Sequence, residues 1–359
     1  MKKLFLLTII IACFAGNTAL AQRADYNIIP LPKQVETDTT QYFTLQTGMG
    51  IAYDASSEEI TRNAKFFSEW VEQSTGIKLA LTPNDKKAAV RMSLGFASDK
   101  KLREGETLTE QQQEAYKINI DDKGILIEAR NPIGLFRAAQ TLRKAIPIVK
   151  NPKDVKVEMP YAKIQDEPRF VYRGTLLDCG RHFFTVDVIK QMLDVMALHG
   201  CNQFHWHLTE DQGWRFEVKS MPNLALHGSV RQETVVGPNV GIYDGQPYGG
   251  YYTQEECRDV VRYAAERYIN VVPEIDLPGH MQSALHVYPN LGCTGGPYPV
   301  RTYWGVSREG LCAGNPETMT FLKTVLDELC DVFPSKMIHI GGDECPKDRW
   351  KACPKCQAK

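Results

Sequence analysis

The sequence predicts an α/β protein in which a small α+β domain precedes a parallel sheet covered by helices. Three observations predict it. The front of the chain pairs short β-runs around a turn with two amphipathic helices. From Arg173 onward, strands alternate with helices. Ionisable residues then gather just after each of those later strands. Hydrophobic residues make up 43% and charged residues 24%, as in ordinary globular proteins. The 42 basic and 43 acidic residues leave a net charge of −1, so no basic field exists to hold nucleic acid or an anionic membrane. No low-complexity tract suggests general disorder.

The first element, residues 1–21, reads as a secretory signal peptide. Lys2 and Lys3 precede an apolar run from Leu4 to about Ala15, and Ala19-Leu20-Ala21 offers small residues for cleavage after Ala21. The run is shorter than the about 20 residues a membrane span needs. Export to a periplasmic or extracellular location is therefore expected. Lipoprotein processing at Cys13, after Ile10-Ile11-Ala12, is the weaker alternative because Cys13 lies inside the apolar run.

Residues 22–163 form the α+β unit. Ile28-Ile29-Pro30-Leu31-Pro32 reads as extended and proline-fixed. Ile60, Ala64, Phe67 and Val71 make a helical stripe over Glu58 to Ser74, ending near Gly76. Val90 to Phe96 reads as a strand. Tyr116–Ile120 and Gly124–Ala129 alternate around Asp121-Asp122-Lys123-Gly124, a hairpin signal. Leu135, Ala139, Leu142 and Ile146 share one face of a second helix. An antiparallel sheet with two covering helices is expected.

A polar link, Gln165-Asp166-Glu167-Pro168, opens the second domain, residues 168–359. Strands are expected at Arg173–Asp178, Asn202–Leu208, Asn270–Ile275 and Met337–Ile340. Helices are expected at Val186–His199, Gln254–Tyr268 and Pro316–Val332. Such alternation gives parallel strands, apolar on both faces when helices and a core cover them. After the strands come Asp178, Arg181 and His182; then Glu210, Asp211 and Trp214; then Glu274, Asp276 and His280; then Gly341-Gly342-Asp343-Glu344. His205 and His207 lie within the second strand. Ionisable residues at successive carboxyl ends are where a (β/α)8 TIM-type barrel builds its active site. About four βα units of that barrel are legible.

These segments resemble the family 20 glycoside hydrolases, the β-N-acetylhexosaminidases. The matching stretches are Arg173-Gly-Thr-Leu-Leu-Asp178-Cys-Gly-Arg181-His182-Phe, His205-Trp-His207-Leu-Thr-Glu210-Asp211-Gln-Gly-Trp214-Arg, Pro273-Glu-Ile-Asp276-Leu-Pro-Gly-His280 and His339-Ile-Gly-Gly-Asp343-Glu344. They occur in family order, and the front unit resembles the domain that precedes this barrel.

Glycoside cleavage needs an acid for the leaving oxygen and stabilisation of positive charge at the anomeric carbon. The resemblance implies that the substrate's own 2-acetamido carbonyl attacks, giving an oxazolinium intermediate. It assigns Asp343 to the acetamido N–H and Glu344 to general acid, then base. A buried Glu344 beside a second carboxylate would have a raised pKa suited to that task. The resemblance implies that Arg181 grips sugar hydroxyls; an ion pair with Asp178 or Glu210 is the plainer reading. Glu210 and Asp211 match an acidic pair below the sugar, with Asp211 supporting the site through hydrogen bonds. The first position is often Asp in the family, which leaves the role of Glu210 open. His280 could pair with a carboxylate and tune the acid, or be a buried structural histidine. His205 and His207 are expected in the barrel core or supporting the acids, and Trp206 and Trp214 in packing.

The implied substrates are terminal β-linked GlcNAc or GalNAc on glycans or chitooligosaccharides. No cofactor and no metal are expected. A metal-dependent barrel hydrolase built on His205, His207, His280 and Asp343 is a remote alternative, since that pairing belongs on a first strand. Ten cysteines, one of them in the leader, leave an odd number. Cys293 and Cys312 flank one loop and could pair. Cys345, Cys353 and Cys356 look like part of a zinc site through Cys353-Pro-Lys-Cys356, but no fourth ligand stands at usual spacing, so a tight turn or a disulfide is preferred.

A full barrel takes about 250 residues, and Pro168 to Lys359 supplies fewer. The tryptophans, tyrosine and acidic residue that later strands of the family contribute have no counterpart here. The expectation is a chain truncated within the barrel: an inactive fragment or sugar-binding remnant, insoluble or inactive when expressed alone. Release of nitrophenol from nitrophenyl N-acetyl-β-glucosaminide checks it, and turnover at ordinary enzyme rates would refute it.

Overall fold

The computed structural model describes residues 22–96, 107–150, 155–238 and 241–359. The expected signal peptide lies outside the described residues. The front unit is built on an eight-stranded sheet. Lys156–Asp166 is its hub, pairing antiparallel with both Gln34–Gln46 and Tyr116–Asp121. The hairpin Tyr116–Asp121 and Gly124–Ala129 closes where the sequence places it. The sheet is mixed rather than antiparallel. Val90–Leu94 pairs parallel with Gly124–Ala129 and with Gly50–Ala52. The helix Glu58–Thr75 crosses over the sheet between Gly50–Ala52 and its parallel neighbour Ala80–Leu81.

That helix begins at Ser57, whose hydroxyl accepts from the Ile60 N–H. It ends at Gly76 in the left-handed region, whose N–H returns to the Glu72 carbonyl. Ile60, Ala64, Phe67 and Val71 are all buried. They meet the second helix, Pro132–Ala145, which buries Leu135, Ala139 and Leu142. The strands Gln34–Gln46 and Lys156–Asp166 are not evident in the sequence pattern. Gln34–Gln46 is largely exposed and carries little apolar alternation, so its pairing, not its burial, makes it a strand.

In the second unit, Gln203–His207 lies between Gly174–Asp178 and Asn270–Glu274, all parallel. Register aligns Asp178, His207 and Glu274 in one row at the carboxyl ends. Successive side chains alternate between faces. Phe204 and Trp206 point to one face and are fully buried. That face lies toward the helices Val186–Leu198, Gln254–Ala265 and Pro316–Val332. His205 and His207 point to the opposite face, so the second strand is not apolar on both sides. Leu176 shares that face and is 48% exposed. Gln254–Ala265 starts at a Thr253 capping box. It stops before Tyr268, which adopts a positive φ of 57° in the turn to the next strand.

The expected fourth strand, Met337–Ile340, is not a full strand. His339 forms a single parallel bridge with Glu274. Its N–H donates to the Pro273 carbonyl, its carbonyl accepts from Ile275, and the Leu277 N–H donates to the Ile340 carbonyl. The segment therefore runs in strand position, but among the described residues it is paired on one side only, and Met337 and Ile340 are exposed.

The two units meet through a buried charge cluster. Glu114 lies 2.7 Å from Arg137 Nε and 2.6 Å from Arg173 Nη2. Arg173 also donates to the Gly200 and Phe170 carbonyls. Phe136 and Tyr268 pack with ring centroids 5.2 Å apart, and Asn63 donates to the Tyr268 hydroxyl. Removing one member of a buried pair leaves the other charge uncompensated. Glu114→Ala is accordingly expected to cost about 3 kcal/mol, read as a lower urea midpoint. An unchanged midpoint would mean that the cluster is solvated in solution.

Candidate active site

The row of strand ends positions the polar residues. Glu274 is its centre. Its carboxylate lies 2.6 Å from His205 Nε2, 2.6 Å from His207 Nδ1 and 2.9 Å from His339 Nδ1. Burial alone would raise the Glu274 pKa, but contacts with His205 and His207 hold it well below the usual range. His207 reaches on with Nε2 to Glu210 Oε1 at 3.2 Å. Burial alone would lower the His207 pKa, yet Glu210 and Glu274 hold it well above the usual imidazole range. His205 and His207 thus support the acids, as expected from their positions. Glu274 is the organiser that motif reading left without a role.

Glu210 and Asp211 are both buried. Arg181 pairs with Glu210 at 2.8 Å and with Asp178 at 2.7 Å. The plainer reading of Arg181, an ion pair, is what this ligand-free arrangement contains. Its side chain is still 41% exposed, so the guanidinium faces open space above the strand ends. Burial would raise the Glu210 pKa, but His207, His280 and Arg181 hold it well below the usual carboxylate range. Asp211 accepts from the Gln282 N–H at 3.0 Å and lies 3.5 Å from Arg301 Nη1. Arg301, Gln282 and the buried Arg215 escape sequence reasoning. Arg301 and Arg215 stand in loops and Gln282 opens the short helix Gln282–Val287, and only the fold brings them in. Arg215 donates to the carbonyls of Cys179, Gly180, Ser229 and Gly250, which fixes the loops around the rim.

His280 bridges the acidic pair to the fourth segment. Its Nδ1 lies 3.0 Å from Glu210 and 3.5 Å from Asp211, and its Nε2 lies 3.4 Å from Glu344. The ring thus lies between carboxylates on both of its nitrogens. Asp211 and Glu210 hold the imidazole well above its usual pKa. His280 thus sits against carboxylates and is also wholly buried, which unites both sequence readings of it.

Glu344 departs from expectation. Its side chain is 52% exposed, and Asp343 is exposed beside it. The raised carboxyl is Asp276. Burial pushes its pKa up to about 7, although the Gly342 N–H donates to it. Gly341 packs so closely on Asp276 that a Cβ would collide with the carboxylate. Its φ of +61° also lies in the left-handed region that glycine tolerates. This contact, together with the Gly342 bond, holds the Asp343-Glu344 turn over the site.

Trp206 and Trp214 are fully buried and donate to the Cys179 sulfur and the Phe216 carbonyl. They pack, as expected. The four residues of the metal-hydrolase alternative do not converge. His205 and His207 gather with Glu274, whereas His280 and Asp343 gather with Asp276. Of the cysteines, Cys345 stands apart. Cys353 and Cys356 do group, and with Cys293 and Cys312.

Residues 170–359 match the family described as glycosyl hydrolase family 20, catalytic domain, and residues 25–167 match its domain 2. A β-hexosaminidase of Porphyromonas gingivalis is 39% identical, over 97% of this chain and 44% of that one. A β-N-acetylhexosaminidase of Cellulomonas fimi is 33% identical, over 89% of this chain and 60% of that one. Among solved structures, Streptomyces plicatus N-acetyl-β-hexosaminidase in complex with Thio-NAglucal superposes with a TM-score of 0.76 at 33% identity, over 90% of this chain and 60% of that one. The GH20 exo-β-N-acetylglucosaminidase of Vibrio harveyi, in complex with N-acetylglucosamine, gives 0.76 at 31% identity, over 94% and 50%. The chain spans about half the length of the first curated relatives it matches.

Asp276 sets one part of the pH response. A carboxyl whose folded pKa is raised stabilises the fold fully below its unfolded value, near 4, and loses that contribution as pH climbs through about 7. Asp276→Asn keeps the acceptor for Gly342 but removes the charge. Between pH 4 and pH 7 the parent chain is expected to lose on the order of 2 kcal/mol relative to the variant. Parallel urea titrations of the two would exclude this role if they ran level across that window.

Proposed function

The chain belongs to glycosyl hydrolase family 20, and we propose that its site serves exo-acting removal of terminal β-linked N-acetylhexosamine, GlcNAc or GalNAc, from glycans or chitooligosaccharides. The proposed course is retention through substrate-assisted catalysis. The substrate's acetamido oxygen attacks the anomeric carbon as the glycosidic bond breaks, forming an oxazolinium intermediate that water then opens. Asp343 orients the acetamido N–H and offsets positive charge. Glu344 donates a proton to the leaving oxygen and then takes one from the incoming water. Arg181 turns from carboxylates to sugar hydroxyls, for which its fork of donors is suited. Glu210, Asp211 and His280 position the site from below: their buried charges balance one another and set the field beneath Glu344.

The observation that carries this reading is the Asp343-Glu344 pair, held over the strand ends by Gly341 and Gly342 against Asp276, with Glu344 open to solvent and 3.4 Å from His280. The relatives whose names specify β-hexosaminidase support the same reading.

We also propose export. The leader Met1–Ala21 has the charge, apolar run and cleavage residues of a signal peptide. No helix among the described residues is long and apolar enough to cross a membrane. N-terminal sequencing of the mature protein is expected to begin at Gln22.

In the native protein, Glu344→Gln is expected to lower kcat on nitrophenyl N-acetyl-β-glucosaminide by about 10²–10⁴-fold while leaving binding of GlcNAc. A rate close to the parent's would remove Glu344 as the acid. A substrate with a trifluoroacetamido group, whose carbonyl is a weaker nucleophile, should be cut more slowly. Equal rates would exclude attack by the acetamido oxygen.

A further inference from the structure

Away from the acids, the fold gathers four cysteine thiols that are far apart in sequence. Cys293 follows the short helical turn Pro289–Leu291, and Cys312 precedes the helix Pro316–Val332. Cys353 and Cys356 flank Pro354-Lys355 at the start of the final helical turn. All four sulfurs lie within 4.8 Å of one another. Cys312 is 3.5 Å from Cys356 and 3.7 Å from Cys353, and Cys293 is 3.8 Å from Cys356. A zinc ion with Zn–S bonds of about 2.3 Å has tetrahedral edges of roughly 3.8 Å.

We propose that Cys293, Cys312, Cys353 and Cys356 form a closed, structural four-thiolate site for a zinc ion.

Four further features favour a metal over paired disulfides. Cys353-Pro-Lys-Cys356 has the C-x-x-C spacing of a zinc knuckle. The Gly314 N–H donates to the Cys356 sulfur at 3.4 Å, and the backbone N–H groups of Lys355 and Cys356 face the Cys353 sulfur. Such donors offset the excess negative charge of four thiolates around one dication. Gly314 also packs against the knuckle so closely that a Cβ would collide with the Lys355 carbonyl. The backbone there is shaped to wrap the sulfurs. Cys312 is moreover nearly equidistant from two thiols, which a single disulfide partner does not require.

The ion would cross-link the loop 291–315 to the segment that follows Glu344. Both already touch through the Arg349–Glu309 ion pair and the Trp350 N–H bonded to the Leu311 carbonyl. The acid-bearing turn would then be held on one side by Asp276 and on the other by the metal.

The native protein, purified under reducing conditions in the presence of zinc and desalted, is expected to hold one zinc ion per chain at this site by elemental analysis. A mercurial reagent should release it in step with blocked thiols. Cobalt substitution should give the thiolate charge-transfer band and visible d–d bands of a tetrahedral site. Cys356→Ser should lose most of the metal, whereas Cys330→Ser, at an exposed helix position, should keep it. If the Cys356 variant fails to fold, the cobalt spectrum and mercurial release of the parent chain decide. Two disulfides found by mass spectrometry in native protein, or four thiols freely alkylated in the presence of zinc, would overturn the proposal.

Discussion

The second unit depends on one buried carboxylate. Glu274 sits at the end of the third strand, and three histidines converge on it from two other chain segments. A buried charge without partners is costly, so the carboxylate compels the second strand and the His339 segment to present imidazoles toward it. Strand register makes this possible: His207 is directly opposite Glu274, and His205 is two residues earlier on the same face. A one-residue slip would turn both histidines toward the helices and bury Phe204 and Trp206 against the acids. Charge pairing and hydrophobic burial thus select the same register.

From Glu274 the constraint spreads outward. His207 links it to Glu210, Glu210 to Arg181 and His280, and Arg181 to Asp178. Positive and negative groups alternate along this chain, so each stabilises the charged form of its neighbours. Asp276 stands at the margin. It receives a backbone N–H but no cation at bonding distance among the described residues, and it alone of these acids is pushed toward neutrality. A neutral carboxyl can lie under the Asp343-Glu344 turn without adding a further negative charge there.

The legible parts were those with a local cause. The helix Glu58–Thr75 could be read because its apolar stripe lies within it and Gly76 stands directly after it. The strands ending in Asp178, His207 and Glu274 could be read because polar residues follow apolar runs. The motifs placed Asp343 and Glu344 after a Gly-Gly turn, where the fold does put them. What escaped depends on contacts distant in sequence. Gln34–Gln46 is a strand only through its partner Lys156–Asp166. Arg301 meets Asp211, and Cys312 meets Cys353 and Cys356, across loops whose path no periodicity records. The fourth strand was overread: Met337–Ile340 has strand composition, but its pairing is limited to one bridge, His339 with Glu274.

The geometry of Glu344 itself shows what the surrounding contacts achieve. Its φ is +43° and that of His280 is +51°, in a region that non-glycine residues rarely occupy. Each such residue costs of order 1–3 kcal/mol unless its surroundings fix it. Glycine at position 344 would relieve that strain, yet the position carries a carboxylate. Both strained residues lie on turns that leave the strand ends; His280 faces the acidic pair and Glu344 faces His280. The turn is held from below by Gly341 against Asp276, and Gly279 of the neighbouring turn packs on the Asp343 carbonyl. Two strained turns locked against each other bring an imidazole and an exposed carboxylate to 3.4 Å. The contact between the two turns, rather than the local sequence of either, sets that distance.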